Sequence, residues 1–547
     1  MKKTHWIMII LGLVIAASLA LSACQPTAEQ PAVEEPVAVE EPASKVGGTL
    51  VYAIAAEPDT LDPAKTGAAV SDIVMNTTGC SLVAVDVDGN VVPYVAKDWN
   101  VSEDGLTYTF SLRDDVKYHN GKSVTAHDFA FEYLRALDPQ TASPSTGPSL
   151  GDVESITALD DYTLEIKLAS PNFPFLFSIS DPGYMQPVKQ EDFEAMGEVN
   201  FGRTPIGCGP YKLVSWETGN KITVERNPDF NWGPAKAWRN TGPWYIEHIE
   251  FRIIPEVATM AAGLEAGEIH LAGITQSDKD YLSTLDIINI EGALQPGLRP
   301  YVAINTSHVP FDDINVRKAF NLALDREAAV QVLAKGDGEV QYGPLSPAQI
   351  GYWDGVKEIG YGYDPEQAAA YMETAGYTRD AEGFWGKEGE RLSLKLYTLP
   401  IDTWIKAAEL VQQQYNEFGI ELTIQQEEQG VAIPIILGGE YDITMFGMTY
   451  PEADILWLMF HSSQIGGFNY AFVNNPELDE ILDRTRTEID PAARQQAVDE
   501  AQKLIVEQAY TIPLYAPINY TAINSKVKDY LFTNLRGLDL DSAYFGD

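Results

Sequence analysis

The chain predicts an α/β body in two lobes, and three observations predict it. Short alternating segments recur in the first half, as at Leu106-Thr107-Tyr108-Thr109-Phe110-Ser111-Leu112, and period-two alternation marks a half-buried strand. Beyond residue 310, longer helical stretches opened by Asp-Pro or Asn-Pro alternate with further strands; strands mixed with capped helices build layered α/β domains. About 500 residues follow residue 47, enough for two or three domains around a large core. A hydrophobic content of 45% with 10 tryptophans fits a globular body.

The first element belongs to no fold. Lys2 and Lys3 precede an uncharged apolar run over 6–21, followed by Leu21-Ser22-Ala23-Cys24. That order is a charged n-region, an apolar h-region and a small-residue cleavage site, which predicts a signal peptide over 1–23. The run is short of the roughly 20 apolar residues a bilayer span needs. Small residues before a cysteine resemble the bacterial lipoprotein box, and the resemblance implies a diacylglyceryl group on Cys24. The competing reading is a single membrane span with an incidental cysteine. Residues 24–47 are rich in Pro, Ala, Val and paired Glu without apolar periodicity, the composition of an extended, disordered tether. Everything beyond is expected outside the cytoplasm.

Along the body, a strand starts at Thr49-Leu50-Val51-Tyr52 and leads into the acidic, Pro-rich loop 57–63. Residues 82–86 and 91–92 flank Asp88-Gly89, a hairpin turn pair. Asp86, Asp88 and Asn90 have the spacing of a calcium loop, but Val91 stands where glycine is required and Lys97 where the last carboxylate belongs. A helix is expected over 125–137, with Asp128 favouring its first turn, then a strand over 162–168. Asp364-Pro365, Asn475-Pro476 and Asp490-Pro491 each open a helix. Strands are expected at 392–397 and 420–425.

Composition excludes several functions. A net charge of −42 argues against nucleic acid, whose phosphates need a basic stripe. No second apolar run is long enough to span a bilayer, so the chain is not a permease. No G-x-S-x-G, H-E-x-x-H or Walker loop occurs. Gly207-Cys208-Gly209-Pro210 lacks the third glycine of a dinucleotide loop and reads as a tight turn. The 7 histidines are scattered, so neither a metal site nor a cofactor is expected. Cys80 and Cys208 form either a disulfide, which an oxidising compartment permits, or two buried free thiols.

Several segments then match a known pattern in order. They are Ala96-Lys97-Asp98-Trp99, Gly105-Leu106-Thr107-Tyr108-Thr109-Phe110, the run 112–122, Thr125-Ala126-His127-Asp128, Pro205-Ile206-Gly207-Cys208-Gly209-Pro210-Tyr211, and Asn227-Pro228-Asp229-Phe230. Asn305-Thr306, Pro310-Phe311, the run 316–326, residues 456–462 and Ile512-Pro513-Leu514-Tyr515 continue it. Together they resemble family 5 extracellular solute-binding proteins, the dipeptide- and oligopeptide-binding components of ABC importers, across residues 48–547. The resemblance implies a non-enzymatic receptor of the periplasmic-binding-protein type. Two hinged lobes close on a ligand, and the extra subdomain sits in lobe one. It implies lobe one over 48–254 with an inserted subdomain at about 84–182, lobe two over 255–512, and a return to lobe one over 513–547. Crossings are expected near Ile254 and Ile512, with 251–254 and 511–514 side by side as hinge strands. The implied partners are an ABC permease and ATPase complex, the membrane through the lipid anchor, and a small-molecule or peptide ligand bound by a monomer.

The ligand-binding segments depart from the family. Dipeptide-binding members hold the α-ammonium with an aspartate where this chain has Pro451; Asp454 matches the next aspartate and Glu452 offers a displaced carboxylate. The segment that supplies an arginine for the peptide carboxylate reads Thr398-Leu399-Pro400-Ile401-Asp402. Each buried charge-assisted bond is worth roughly 1.5–3 kcal/mol, so short zwitterionic peptides are expected to bind weakly. The expected ligand is a longer peptide held through its backbone, or a neutral oligosaccharide stacked on rings. Trp404, Tyr450, Trp457 and Tyr470 lie in the family's pocket segments, as do Thr449 and Asn469, while Glu57 lies where relatives pair with an extended peptide. The rival from another class is a lipoprotein-anchored hydrolase; a signalling receptor of the same fold is a third reading.

Overall fold

The structure, a computed structural model, describes residues 45–546. The expected signal peptide, Cys24 and residues 24–44 of the tether lie outside the described residues.

The strand Thr49–Ile54 lies in the middle of an eight-stranded sheet. Its side chains alternate: Leu50 and Ile54 pack with Phe251 and Leu271 on one face, Val51 and Ala53 with Met260 and Leu264 on the other. It pairs in parallel with His248–Ile253 and with Leu271–Ile274. Lys221–Arg226 and Tyr211–Glu217 extend one side; Tyr515–Asn524 and Ile288–Leu294 extend the other.

A four-stranded antiparallel sheet is inserted into this lobe, in the order Ala96–Val101, Thr107–Leu112, Thr163–Leu168, Val153–Asp160. The helix Ala126–Leu137 seats Phe129 and Tyr133 among Phe110, Leu164 and Ile166. The Asp128 carboxylate accepts from the Thr125 amide at 2.8 Å and fixes its start. Cys80 and Cys208 are bonded, with Cα atoms 5.5 Å apart at a sequence separation of 128; closing such a loop stabilises a fold by about 5 kcal/mol in the chain-entropy account. The flanking glycines are required by the approach of another backbone: a Cβ at Gly207 would stand 2.0 Å from the Thr78 carbonyl oxygen, and one at Gly209 2.5 Å from the Thr78 carbonyl carbon.

The second lobe is built on a five-stranded sheet ordered Glu421–Gln426, Ser393–Thr398, Ile443–Met448, Leu298–Ile304, Ile512–Pro513. Helices Ile314–Leu322, Pro365–Thr374 and Asp402–Phe418 contribute to one core with Leu394 and Leu396, and Pro476–Thr487 and Pro491–Glu507 contribute to another around Tyr301 and Phe460. Each Asp-Pro or Asn-Pro start is a working cap, with the Asp364, Asn475 and Asp490 side chains accepting from amides of the first turn.

The first crossing is not at Ile254. His248–Ile253, the helix Val257–Glu265 and Leu271–Ile274 form a parallel strand–helix–strand unit, and Ile288–Leu294 adds a further strand, all within the first sheet. The chain passes to the second sheet between Leu294 and Leu298. The expected hinge pairing changes accordingly. Ile512 and Pro513 lie opposite Val302 and Tyr301, while Phe251 and Arg252 lie opposite Tyr52 and Ala53. After Pro513 the chain re-enters the first sheet as Tyr515–Asn524.

Candidate ligand-binding site

Ser393–Thr398, Glu421–Gln426 and Ile443–Met448 run parallel, so their carboxyl ends share one edge of the second sheet, the edge at which open α/β sheets bind ligands. Along the central strand, Ile443, Thr444 and Met445 are buried, whereas Phe446, Gly447 and Met448 are half-buried. The chain continues into Thr449 and Tyr450. The crossing segment lies against this end: Gln295 Nε2 donates to Thr449 Oγ1 at 3.0 Å, and a Cβ at Gly297 would stand 2.2 Å from the Met448 carbonyl oxygen. Thr449, which is exposed, and the half-buried Tyr450 thus sit where the lobes join.

Below them lie two buried acids, Glu452 and Asp454. Arg494 donates to Glu452 Oε1 at 2.5 Å, and the Asp454 amide donates to Glu452 Oε2 at 2.6 Å. Arg486 pairs with Asp454, Nε to Oδ1, at 2.9 Å. Burial pushes both carboxyls above the ordinary carboxylate range, against the pull of Arg494 and Arg486. Burial and the two acids together raise the Tyr450 hydroxyl. Glu452 is therefore not a displaced anchor for an ammonium group, because both its oxygens already have partners within the chain.

Trp457 is half-buried; its indole N–H donates to Asp483 Oδ1 at 3.2 Å. The Arg486 guanidinium lies 4.0 Å from its ring centroid and His461 stacks on it at 4.9 Å. Tyr470 is buried edge-on to Phe446, with centroids 4.5 Å apart. Asn469 is a loop brace: its amide group donates to the carbonyls of His461 and Val473 and its oxygen accepts from the Val473 amide.

The structure thus gathers Thr449, Tyr450, Asp454, Trp457, Asn469 and Tyr470 on one side of the second lobe. It does not bring Trp404 to them. That ring is 9% exposed and fills the other core of the lobe, with Ala407, Ala408 and Leu396. Glu57 stays in the first lobe, its oxygens accepting from Trp216 Nε1 at 2.8 Å and the Gly219 amide at 3.1 Å. Sequence reasoning missed Arg486 and Arg494. Eight positions apart around a helix–helix turn, they look like surface cations; the signal was the two acids at 452 and 454, which need buried partners. Among the described residues no cluster of His, Cys, Asp or Glu could hold a metal ion, and no helix is long and apolar enough to cross a membrane.

Residues 90–467 match the model of the bacterial extracellular solute-binding proteins, family 5. The chain is 26% identical to the oligopeptide-binding protein AppA of Bacillus subtilis over 98% of both chains. It is 26% identical to heme-binding protein A of Haemophilus influenzae, over 94% of this chain and 95% of that one. The structure of Bacillus subtilis AppA in complex with a nonapeptide superposes with a TM-score of 0.73 at 25% identity, covering 92% of this chain and 99% of that one.

Proposed function

Because the chain belongs to the bacterial extracellular solute-binding proteins of family 5, the non-enzymatic receptors of ABC importers, we propose that it captures oligopeptides and delivers them to a permease and ATPase complex. The observation that carries this reading is the pairing of Glu452 with Arg494 and of Asp454 with Arg486. Unlike a site with a free acid for an α-ammonium group, this one offers half-buried aromatic and backbone groups at strand ends. Such a surface favours a ligand held along its length over one held by its termini. A stacked sugar is disfavoured, since Arg486 and His461 already lie against the Trp457 ring. The lipid anchor at Cys24, the monomeric state and the assignment of Tyr450 and Thr449 as ligand contacts belong to the same proposal.

A thermal-shift series tests it. Peptides of four to nine residues are expected to raise Tm, because a ligand at a hundredfold its Kd stabilises the folded state by about 2.7 kcal/mol; dipeptides and neutral oligosaccharides are not. A dipeptide that binds as tightly as any longer peptide overturns the argument from the paired acids.

A further inference from the structure

One loop of the inserted subdomain reaches the second lobe with a backbone hydrogen bond. Its tip follows the strand Thr163–Leu168: the Phe173 amide donates to the Arg486 carbonyl oxygen at 2.7 Å, and the Phe173 ring lies 4.5 Å below the Arg494 guanidinium. From the subdomain side, the Tyr108 hydroxyl donates to the Asn172 carbonyl oxygen at 3.3 Å, and Tyr108 itself packs on Phe175 with centroids 4.8 Å apart. A second point of approach lies alongside. A Cβ at Gly105 would stand 3.4 Å from Pro171 and 3.6 Å from Ile489, in the turn between helices Pro476–Thr487 and Pro491–Glu507.

The two arginines that receive this loop are the ones that neutralise the acids of the candidate site. Arg494 contacts Phe173 and Glu452, and Glu452 accepts from the Asp454 amide; Arg486 contacts Phe173 through its carbonyl, and Asp454 and Trp457 through its guanidinium. We propose that Phe173 is a latch: docked on Arg486 and Arg494, it biases the free protein toward lobe closure and ties that closure to the groups beneath the ligand site. A guanidinium held over a ring and a backbone hydrogen bond are each modest contributions. Together they are large enough to move a closure equilibrium about tenfold, since two conformations of a hinged protein differ by only a few kcal/mol. The latch concerns the free protein and stands whichever solute is bound.

Hydrogen exchange on the ligand-free full chain reads it directly, because the amide at position 173 is bonded only across the lobes. The expected result is at least tenfold protection of that amide in the wild type. In Phe173→Ala the protection is lost and small-angle scattering gives a larger radius of gyration, while amides of the strand Thr49–Ile54 keep their slow exchange. Phe173→Leu, which keeps bulk without an aromatic face, is expected to fall between the two and serves in place of the alanine variant if that chain unfolds. An unprotected amide in the wild type, or protection and dimensions unchanged in both variants, overturns the proposal. The measurement uses no ligand, so a failure of oligopeptides to bind leaves its outcome intact.

Discussion

Arg494 shows how much a single buried cation carries here. Its Nε donates to the Thr485 carbonyl oxygen at 2.8 Å, its Nη2 to Glu452, and its face covers Phe173. Replacing one member of a buried ion pair leaves the other as an uncompensated charge, at a cost of about 3–5 kcal/mol. That cost depends on pH with a definite sign. Glu452 is already raised above its ordinary value in the folded chain, so what it contributes is fully present below its unfolded pKa of about 4.3 and is lost as pH rises through the folded value. Removing Arg494 takes away the principal influence holding that value down, and the loss deepens. Arg494→Met is therefore expected to destabilise by about 3 kcal/mol at pH 7.5 and by only about 1 kcal/mol near pH 4.5. Denaturant unfolding at the two pH values checks it. Equal losses at both would mean that Glu452 is neutral in the wild type.

At the scale of elements, local chemistry was legible and pairing was not. The helix Ala126–Leu137, the strand Thr107–Leu112 and the starts of the proline-opened helices Pro365–Thr374, Pro476–Thr487 and Pro491–Glu507 match the sequence expectation within a residue or two. Their caps and alternation are properties of a few adjacent residues. The extended signal at 251–254 falls in the strand His248–Ile253, yet its neighbour is Thr49–Ile54 and not 511–514, because a strand's own sequence does not name its partner. The same limit explains the site. Tyr450 and Trp404 were both aromatic residues in pocket segments, and only packing separates a ring at a strand end from one inside a helix-covered core. Gly297 is an element-scale feature that no local sequence pattern marks. Its φ of +108° lies where side chains are strained, and it is pressed against the end of the strand Ile443–Met448. Gly297→Ala is expected to cost at least about 2 kcal/mol, from backbone strain together with a collision with main-chain atoms. It is also expected to weaken peptide binding, since Thr449 must shift with the strand end. A melting temperature and a peptide dissociation constant both equal to those of the wild type would remove Gly297 from the crossing's construction.

For the whole molecule, the balance of charge bears on the proposed membrane anchor. The chain carries 79 acidic against 37 basic residues, a balance that opposes electrostatic adhesion to an anionic bilayer. The proposed retention then rests on covalently attached hydrocarbon or on the apolar run at residues 6–21. The two sources make opposite demands on Cys24. A diacylglyceryl group supplies two acyl chains, the number that separates stable anchoring from marginal, reversible binding, and it can be attached only through that thiol. A retained N-terminal span needs no cysteine. Cys24→Ala is therefore expected to move the protein from the membrane to the soluble fraction, or to leave it with an uncleaved leader visible as a higher mass. The peptide-induced rise in Tm is expected to persist, because residue 24 precedes the first strand of the body, Thr49–Ile54, by more than twenty positions. High salt should leave the wild-type protein on the membrane, as hydrocarbon burial is not screened. Cys24→Ala protein that remains membrane-bound at its unchanged mature mass would assign retention to something other than lipid on this residue.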